Sequence, residues 1–238
     1  MFLCLLVCAF SHTRNCSRVA FHRGQVGRPL DRTLTPSSWR DAEQRGSHKT
    51  ALSFPKILRL LKTFLRKMAV PSVQLPSGVK MPVLGLGTWK SKPGEVTEAV
   101  KAAIDAGYRH IDCAFNYGNE NEVGAGLKAK FDEGVVKRED IFITSKLWNN
   151  FHHPDDVVEA VKKSLTSLGL DYLDLYLIHF PMAYKRGPEM NPKDAEGKVI
   201  GEDIPFTDTW KALEACVESG LLRNIGLSNF NSKQIQAV

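Results

Sequence analysis

From Val83 to Val238 the sequence alternates short apolar runs with helical patterns, and nothing else in the 238 residues limits the fold as much. Val83-Leu-Gly-Leu-Gly87 is strand-like. Pro93 to Ala106 carries Val96, Ala99, Val100 and Ala103 at three- and four-residue spacing and stops at Gly107, the pattern of an amphipathic helix closed by glycine. His110-Ile-Asp112 is a second strand, and Asn119 to Lys130 a second helix with Val123 and Leu127 inward. Ile141 to Ser145 is a third strand. Pro154, suited to a first helical position, opens a third helix to Leu168, with Val157, Val161, Leu165 and Leu168 as its apolar stripe. Leu173 to Ile178 is a fourth strand, followed by a polar, proline-bearing insertion from Met182 to Pro205. Thr207 to Ser219 is a fourth helix, Asn224 to Ser228 a fifth strand, and Ser232 to Val238 a fifth helix. Upstream, Val73 to Met81 predicts a small hairpin turning at Pro76-Ser77-Gly78.

Strict alternation of strand and helix implies an α/β fold, with a parallel sheet and helices outside it. The sheet is then either open and doubly wound or closed into a barrel. Gly85-Leu-Gly87-Thr-Trp-Lys90 lacks the third glycine of a dinucleotide fingerprint. Polar residues end successive strands, as at the catalytic face of a barrel enzyme. These observations select the (β/α)8 TIM barrel. Eight units take about 250 residues. The 170 residues after Met68 are expected to hold only about the first five units, preceded by the hairpin.

The strand ends also gather chemistry. Asp112 ends one strand, Lys146 the next and His179 the one after; Tyr117 lies on the loop that follows Asp112. An acid, an ammonium, an imidazole and a phenol would therefore share one rim. Reducing a carbonyl requires a hydride and a proton. Tyr117 could supply the proton, but a free phenol has a pKa near ~10. Lys146 beside it would lower that value, Asp112 would hold Lys146 in place and charged, and a neutral His179 would orient the substrate oxygen. Trp89, Trp148 and Phe180, on neighbouring loops, would wall the cavity against water. Each residue alone has a plain structural explanation: a helix cap, a core aromatic, a solvated lysine, a backbone-bonded histidine. Ser228 and Asn229, at the end of the fifth strand, either hydrogen-bond a planar carboxamide or cap the helix that starts near Asn231.

Six ordered motifs carry a family resemblance. They are Gly85-Leu-Gly-Thr-Trp-Lys90, Gly107-Tyr-Arg-His-Ile-Asp-Cys113, Tyr117-Gly-Asn-Glu120, Ser145-Lys-Leu-Trp148, Leu173-Asp-Leu-Tyr-Leu-Ile-His179 and Gly226-Leu-Ser-Asn-Phe230. From about Val70 to the last residue the chain resembles the aldo-keto reductases. Trp148-Asn-Asn-Phe-His-His-Pro154 and Gly226 to Ser232 look most like the aldehyde reductase branch. The resemblance implies a barrel that reduces aldehydes and ketones with NADPH and no metal. It implies a catalytic tetrad of Asp112, Tyr117, Lys146 and His179, and nicotinamide contacts at Thr88, Trp89, Asp112, Ser228 and Asn229. It places substrate against Trp89, Tyr117, Trp148, His179 and Phe180. Relatives usually carry Trp after the catalytic histidine, so Phe180 implies a reshaped pocket. The stacking tyrosine and the loops that grip the cofactor's phosphates belong to later strands. A shortened, catalytically inactive member that binds cofactor weakly or not at all is therefore the alternative reading.

Residues 1–68 carry 13 Lys+Arg against 3 Asp+Glu, and the remainder 19 against 23, so the net charge of +6 comes from the N-terminal segment. With no basic-aromatic motif elsewhere, nucleic-acid binding is not expected. Residues 1–67 read as a basic, disordered extension, and Met68-Ala-Val as a native start of the barrel portion 68–238. Met1–Phe10 is apolar but too short to span a bilayer, and it lacks the preceding positive residues of a secretory signal. Ile57 to Lys67 is a short basic amphipathic pattern; a membrane-surface or secretory location rests on this extension alone. Five cysteines without regular spacing give neither a disulfide framework nor a zinc pattern. The remainder reads as a cytoplasmic monomer acting on a small carbonyl substrate, without stable membrane insertion.

Overall fold

The computed structural model describes residues 71–238. The expectations for residues 1–67, and for a start at Met68, fall outside that range. Within it, a hairpin of β1 (Ser72–Gln74) and β2 (Lys80–Pro82) comes first. The main sheet then takes β3 (Leu86–Gly87), β4 (His110–Asp112), β5 (Phe142–Leu147), β6 (Leu175–Ile178) and β9 (Ile225–Leu227), in that spatial order and all parallel. Helices α1 (Val96–Ala106), α2 (Glu120–Asp132), α3 (Pro154–Leu168) and α4 (Phe206–Glu218) fill the crossovers, and α5 (Ser232–Ala237) follows β9. These are five consecutive units of a (β/α)8 barrel, as the alternation predicts. The sheet does not close on itself, and β3 and β9 remain its edges. Among the described residues, no helix is long and apolar enough to cross a membrane.

The period-two alternation of the strands sorts their side chains. Ile111, Ile143, Tyr176, Ile178, Ile225 and Leu227 face the helices and join Val100, Val123, Val161 and Leu213 in the larger core. Phe142, Leu175 and Leu177 face the other way and pack on Leu75 and Met81 of the hairpin. The hairpin turns at Gly78, whose φ of 86° suits glycine. Its tip is tied down where Ser77 Oγ donates to Asn224 Oδ1 at 2.5 Å, just before β9 begins. It therefore sits at the end of the sheet where the strands start. The same end holds an ionic cluster. Asp174 accepts from Arg138 at 2.8 Å and from the Ile143 N–H at 2.9 Å, and Arg138 and Arg223 lie over the Tyr172 ring at 3.9 and 3.7 Å. That end supports stability, and the opposite end is left for chemistry.

The structure departs from the expected pattern in several places; β5, expected over Ile141 to Ser145, runs through Lys146 to Leu147. Helix α1 begins at Val96, three residues later than the pattern implies, and Ile104 rather than Ala99 completes its buried stripe. Its start is fixed from outside. The Glu122 carboxylate on α2 accepts from the Gly94 N–H at 3.0 Å and the Val96 N–H at 3.1 Å, supplying the cap that Glu95 does not. Strand β3 is only two residues long, and Val83 and Leu84 before it are half exposed. A Cβ on Gly85 would sit 3.0 Å from the His110 ring, so the chain here closes against β4. The polar insertion carries structure of its own. It forms a second hairpin, β7 (Ala183–Tyr184) with β8 (Gly201–Glu202), extended by a bridge between Lys193 and Val199. Two-residue strands amid prolines give no readable alternation.

Glycine also sets the helix spacing. A Cβ added to Gly124 on α2 would lie 2.6 Å from the Leu168 carbonyl oxygen at the end of α3. At Gly126 a Cβ would lie 2.8 Å from Val100 on α1. Two poor helix formers near the start of α2 thus let it lie close to both neighbours.

Candidate active site

At the C-terminal ends of β4 and β5 the alternation turns Asp112 and Lys146 to the same side of the sheet, and parallel register brings the two strands together. Lys146 is 1% exposed. Its Nζ donates to Asp112 Oδ1 at 2.5 Å, to the Cys113 carbonyl at 2.9 Å and to the Tyr117 hydroxyl at 3.2 Å. Burial alone would push the ammonium's pKa down. The Asp112 charge and the Tyr117 contact outweigh that, and the net direction is up. Lys146 is therefore charged at neutral pH.

Tyr117 is carried by a 3-10 turn, Phe115–Tyr117, that ends at left-handed Gly118. Its phenol is shifted upward. Burial is the largest cause, and Lys146 opposes it without overcoming it. The expectation that Lys146 brings this pKa below its ordinary value is thus corrected: desolvation of a phenolate in a half-buried site exceeds the attraction of one ammonium already shared with Asp112. At neutral pH the phenol holds its proton.

His179 follows β6, is 6% exposed, and packs edge-on to Tyr117 with ring centroids 5.8 Å apart. Burial first, and the Lys146 charge second, lower its pKa to about 3, so the imidazole is neutral. Its Nδ1 has no partner among the described residues. Two of the expected wall residues pack on the imidazole. Trp148 lies edge-on to His179 at 5.2 Å and donates its indole N–H to the Met190 carbonyl at 2.7 Å, pinning the insertion to the rim. Phe180 stacks on His179 at 5.0 Å. Trp89 is 55% exposed, with the Lys90 ammonium 4.6 Å from the centre of its ring.

Among the residues expected at the nicotinamide, Thr88 is buried and shares hydrogen bonds with Asn119: its carbonyl accepts from Asn119 Nδ2 at 2.9 Å, and its hydroxyl donates to Asn119 Oδ1 at 3.3 Å. Ser228 and Asn229 follow β9 beside the end of β6. Asn229, at a left-handed φ of 63°, donates to the His179 carbonyl at 2.8 Å and to Ser228 Oγ at 3.0 Å. The cap of α5 is made by Asn231, whose side chain accepts from the Gln234 N–H. Of the two readings of Ser228 and Asn229, helix capping falls away.

Sequence reasoning missed Glu120. It opens α2, is 4% exposed, and accepts from Ser145 Oγ at 2.5 Å. Acidic residues at a helix N-terminus are explained by the dipole, which hides a buried one. The available signal was its place three residues after Tyr117.

The Aldo/keto reductase family profile matches residues 83–238, well over half of the sequence and including every strand that bears a rim residue. The chain belongs to the aldo/keto reductase family. It is 55% identical over 172 residues to mouse (Mus musculus) Aldo-keto reductase family 1 member A1, covering 72% of this chain and 53% of that protein. The human (Homo sapiens) member A1 is 54% identical over 172 residues with the same coverage. The aldose reductase structure from Schistosoma japonicum superposes with a TM-score of 0.69 at 50% identity, over 70% of this chain and 56% of that one. The chain spans about half the length of the curated relatives it matches.

Proposed function

We propose that this protein is an NADPH-dependent reductase of aldehydes and ketones, with Tyr117 as proton donor. One observation carries the reading: a buried ammonium, Lys146, lies between the Asp112 carboxylate at 2.5 Å and the Tyr117 hydroxyl at 3.2 Å. Converting a carbonyl to an alcohol places a hydride on carbon and a proton on oxygen. A reduced nicotinamide supplies the hydride when bound. Thr88, Trp89, Asp112, Ser228 and Asn229 would hold it. The rigid Ser228–Asn229 pair, anchored to the His179 carbonyl, has the donors and acceptors that a carboxamide needs. The preference for NADPH rests on the family resemblance alone.

The protein's own residues then divide the proton chemistry. Tyr117, kept protonated, donates to the substrate oxygen. Lys146 neutralises the phenolate left behind, and Asp112 keeps Lys146 charged and aimed. Neutral His179 orients the oxygen, and Trp148 and Phe180 exclude water. The same reading makes the protein a cytoplasmic monomer that acts on a small carbonyl substrate, with no nucleic-acid or membrane partner.

The test is oxidation of NADPH by the full chain with a small aldehyde, set against Tyr117→Phe. The expected loss is ~10²- to 10⁴-fold, the usual contribution of a positioned acid. Equal turnover in Tyr117→Phe refutes the donor. Absence of both turnover and nicotinamide binding refutes the reductase and leaves the inactive member as the reading.

A further inference from the structure

Tyr117 stands on a short turn closed by its own N–H donating to the Ala114 carbonyl at 3.0 Å, and the turn needs anchoring to the strands. Two anchors follow immediately in sequence. Asn119 clasps Thr88 at the end of β3 through its amide, in both directions. Glu120 reaches the end of β5, where Ser145 Oγ donates to its Oε1 at 2.5 Å. Ser145 precedes Lys146 and faces the opposite side of the strand. The Glu120–Ser145 bond therefore joins the segment bearing Tyr117 to the strand bearing Lys146, from behind the sheet. Both partners are buried, at 4% and 0% exposure, so water offers neither a ready substitute.

We propose that Glu120 is a positioning residue that, through Ser145, sets the approach of the Tyr117 hydroxyl to the Lys146 ammonium. It touches neither group, and it acts by geometry. A carboxylate in this place costs more than an amide or an apolar side chain would, because burial raises its pKa. Its charge is felt by the Lys146 ammonium, so charge and geometry have to be separated by experiment. A short bond from a buried hydroxyl is what the carboxylate provides.

This inference rests on the donor role of Tyr117, but its test does not require turnover. In the full chain carrying tyrosine labelled with carbon-13 at Cζ, the Tyr117 resonance is the one lost in Tyr117→Phe. Its position at neutral pH and its titration on raising the pH report contact with Lys146. Glu120→Ala and Ser145→Ala break the same bond from either side and are expected to move the neutral-pH resonance and shift the titration upward, by matching amounts. The double variant should go no further than either single one. Glu120→Gln keeps an acceptor oxygen for Ser145 and should stay at the wild-type position. Ser145→Ala removes one oxygen atom from a packed site and keeps the experiment readable if Glu120→Ala does not fold. An unmoved Tyr117 resonance in a destabilised Ser145→Ala protein would show that the bond only supports the fold, and would overturn the proposal. So would Glu120→Gln moving as far as Glu120→Ala, because charge rather than geometry would then be responsible. If NADPH turnover is absent while these shifts occur, the donor reading fails and the positioning stands.

Discussion

Replacing Asp112 by Asn removes the anion from a buried ammonium and leaves the shape of the site unchanged. Lys146 is 1% exposed, so it cannot recover its lost partner from water. Breaking a buried pair from one side costs roughly 3–5 kcal/mol. Two features reduce that here. The Asp112 side chain is 25% exposed, and the Cys113 carbonyl and Tyr117 hydroxyl remain as acceptors at 2.9 and 3.2 Å. The expected loss at neutral pH is therefore about 2–3 kcal/mol, and with a urea slope near ~2 kcal/mol/M it appears as a midpoint lowered by about 1–1.5 M. The pH dependence follows from linkage. In the wild type the folded-state pKa of Lys146 is raised, so its stabilising contribution is complete below the unfolded value of 10.5 and is lost as the pH rises through the folded value. In Asp112→Asn the largest upward cause is gone and burial dominates, so the folded pKa falls below 10.5 and protonation opposes folding at neutral pH. The difference between the two proteins should be greatest near pH 7 and shrink as the pH passes 10.5. Urea unfolding followed by tryptophan fluorescence at both pH values measures it. A difference of the same size at both, or none at pH 7, would refute the claim that a charged Lys146 depends on Asp112.

Three further outcomes are expected. The His179 ring, identified in proton NMR by loss of its signal in His179→Asn, should not titrate between pH 5 and pH 8, because its pKa is lowered to about 3; a midpoint near 6.5 would remove the case for a neutral donor. Gly124→Ala should destabilise the protein despite the ~1 kcal/mol that alanine gains in a helix, because the new methyl meets backbone atoms of Leu168 and Ser167 at 2.6–2.8 Å. Overpacking costs about 1–3 kcal/mol, and a net loss near ~1 kcal/mol lowers Tm by roughly 2–4 °C; a rise in Tm would show that α2 and α3 can part freely. Glu122→Ala should cost about 1–2 kcal/mol, as loss of a helix cap does, with faster hydrogen exchange at Val96 N–H; unchanged exchange there would mean that Glu122 does not cap α1.

Local patterns read well wherever one element decides its own structure. The stripe Val157, Val161, Leu165 and Leu168 needed only helical periodicity, and all four residues are buried as expected. The ends of β4 and β6 could be placed because a parallel sheet flanked by helices requires continuous apolar strands, so a polar residue marks the strand's end, whereas β5 runs on through buried Lys146 to Leu147. Asp112 and His179 stood out for that reason. What the sequence hid depends on a second segment. The start of α1 is decided by Glu122, twenty-six residues downstream of Val96. The close passage of α2 past Leu168 requires Gly124, which by propensity alone counts against a helix.

The titration of Tyr117 illustrates the same limit in energetic terms. The expectation of a lowered pKa used one interaction, the ammonium beside the phenol, and that interaction is present at 3.2 Å. It could not weigh desolvation, because burial of a residue on a turn is set by surrounding loops. Nor could it see that the positive charge is already shared with Asp112. On the proposed reading, the upward shift keeps the proton on the phenol at neutral pH but weakens the drive to transfer it, because a general acid works best with a pKa near the operating pH. In that proposed arrangement Lys146, itself 1% exposed, would contribute most after the proton has left, when phenolate and ammonium stand together. Stabilisation confined to that moment lowers a barrier without deepening the starting state, and it depends on how closely the two groups are held.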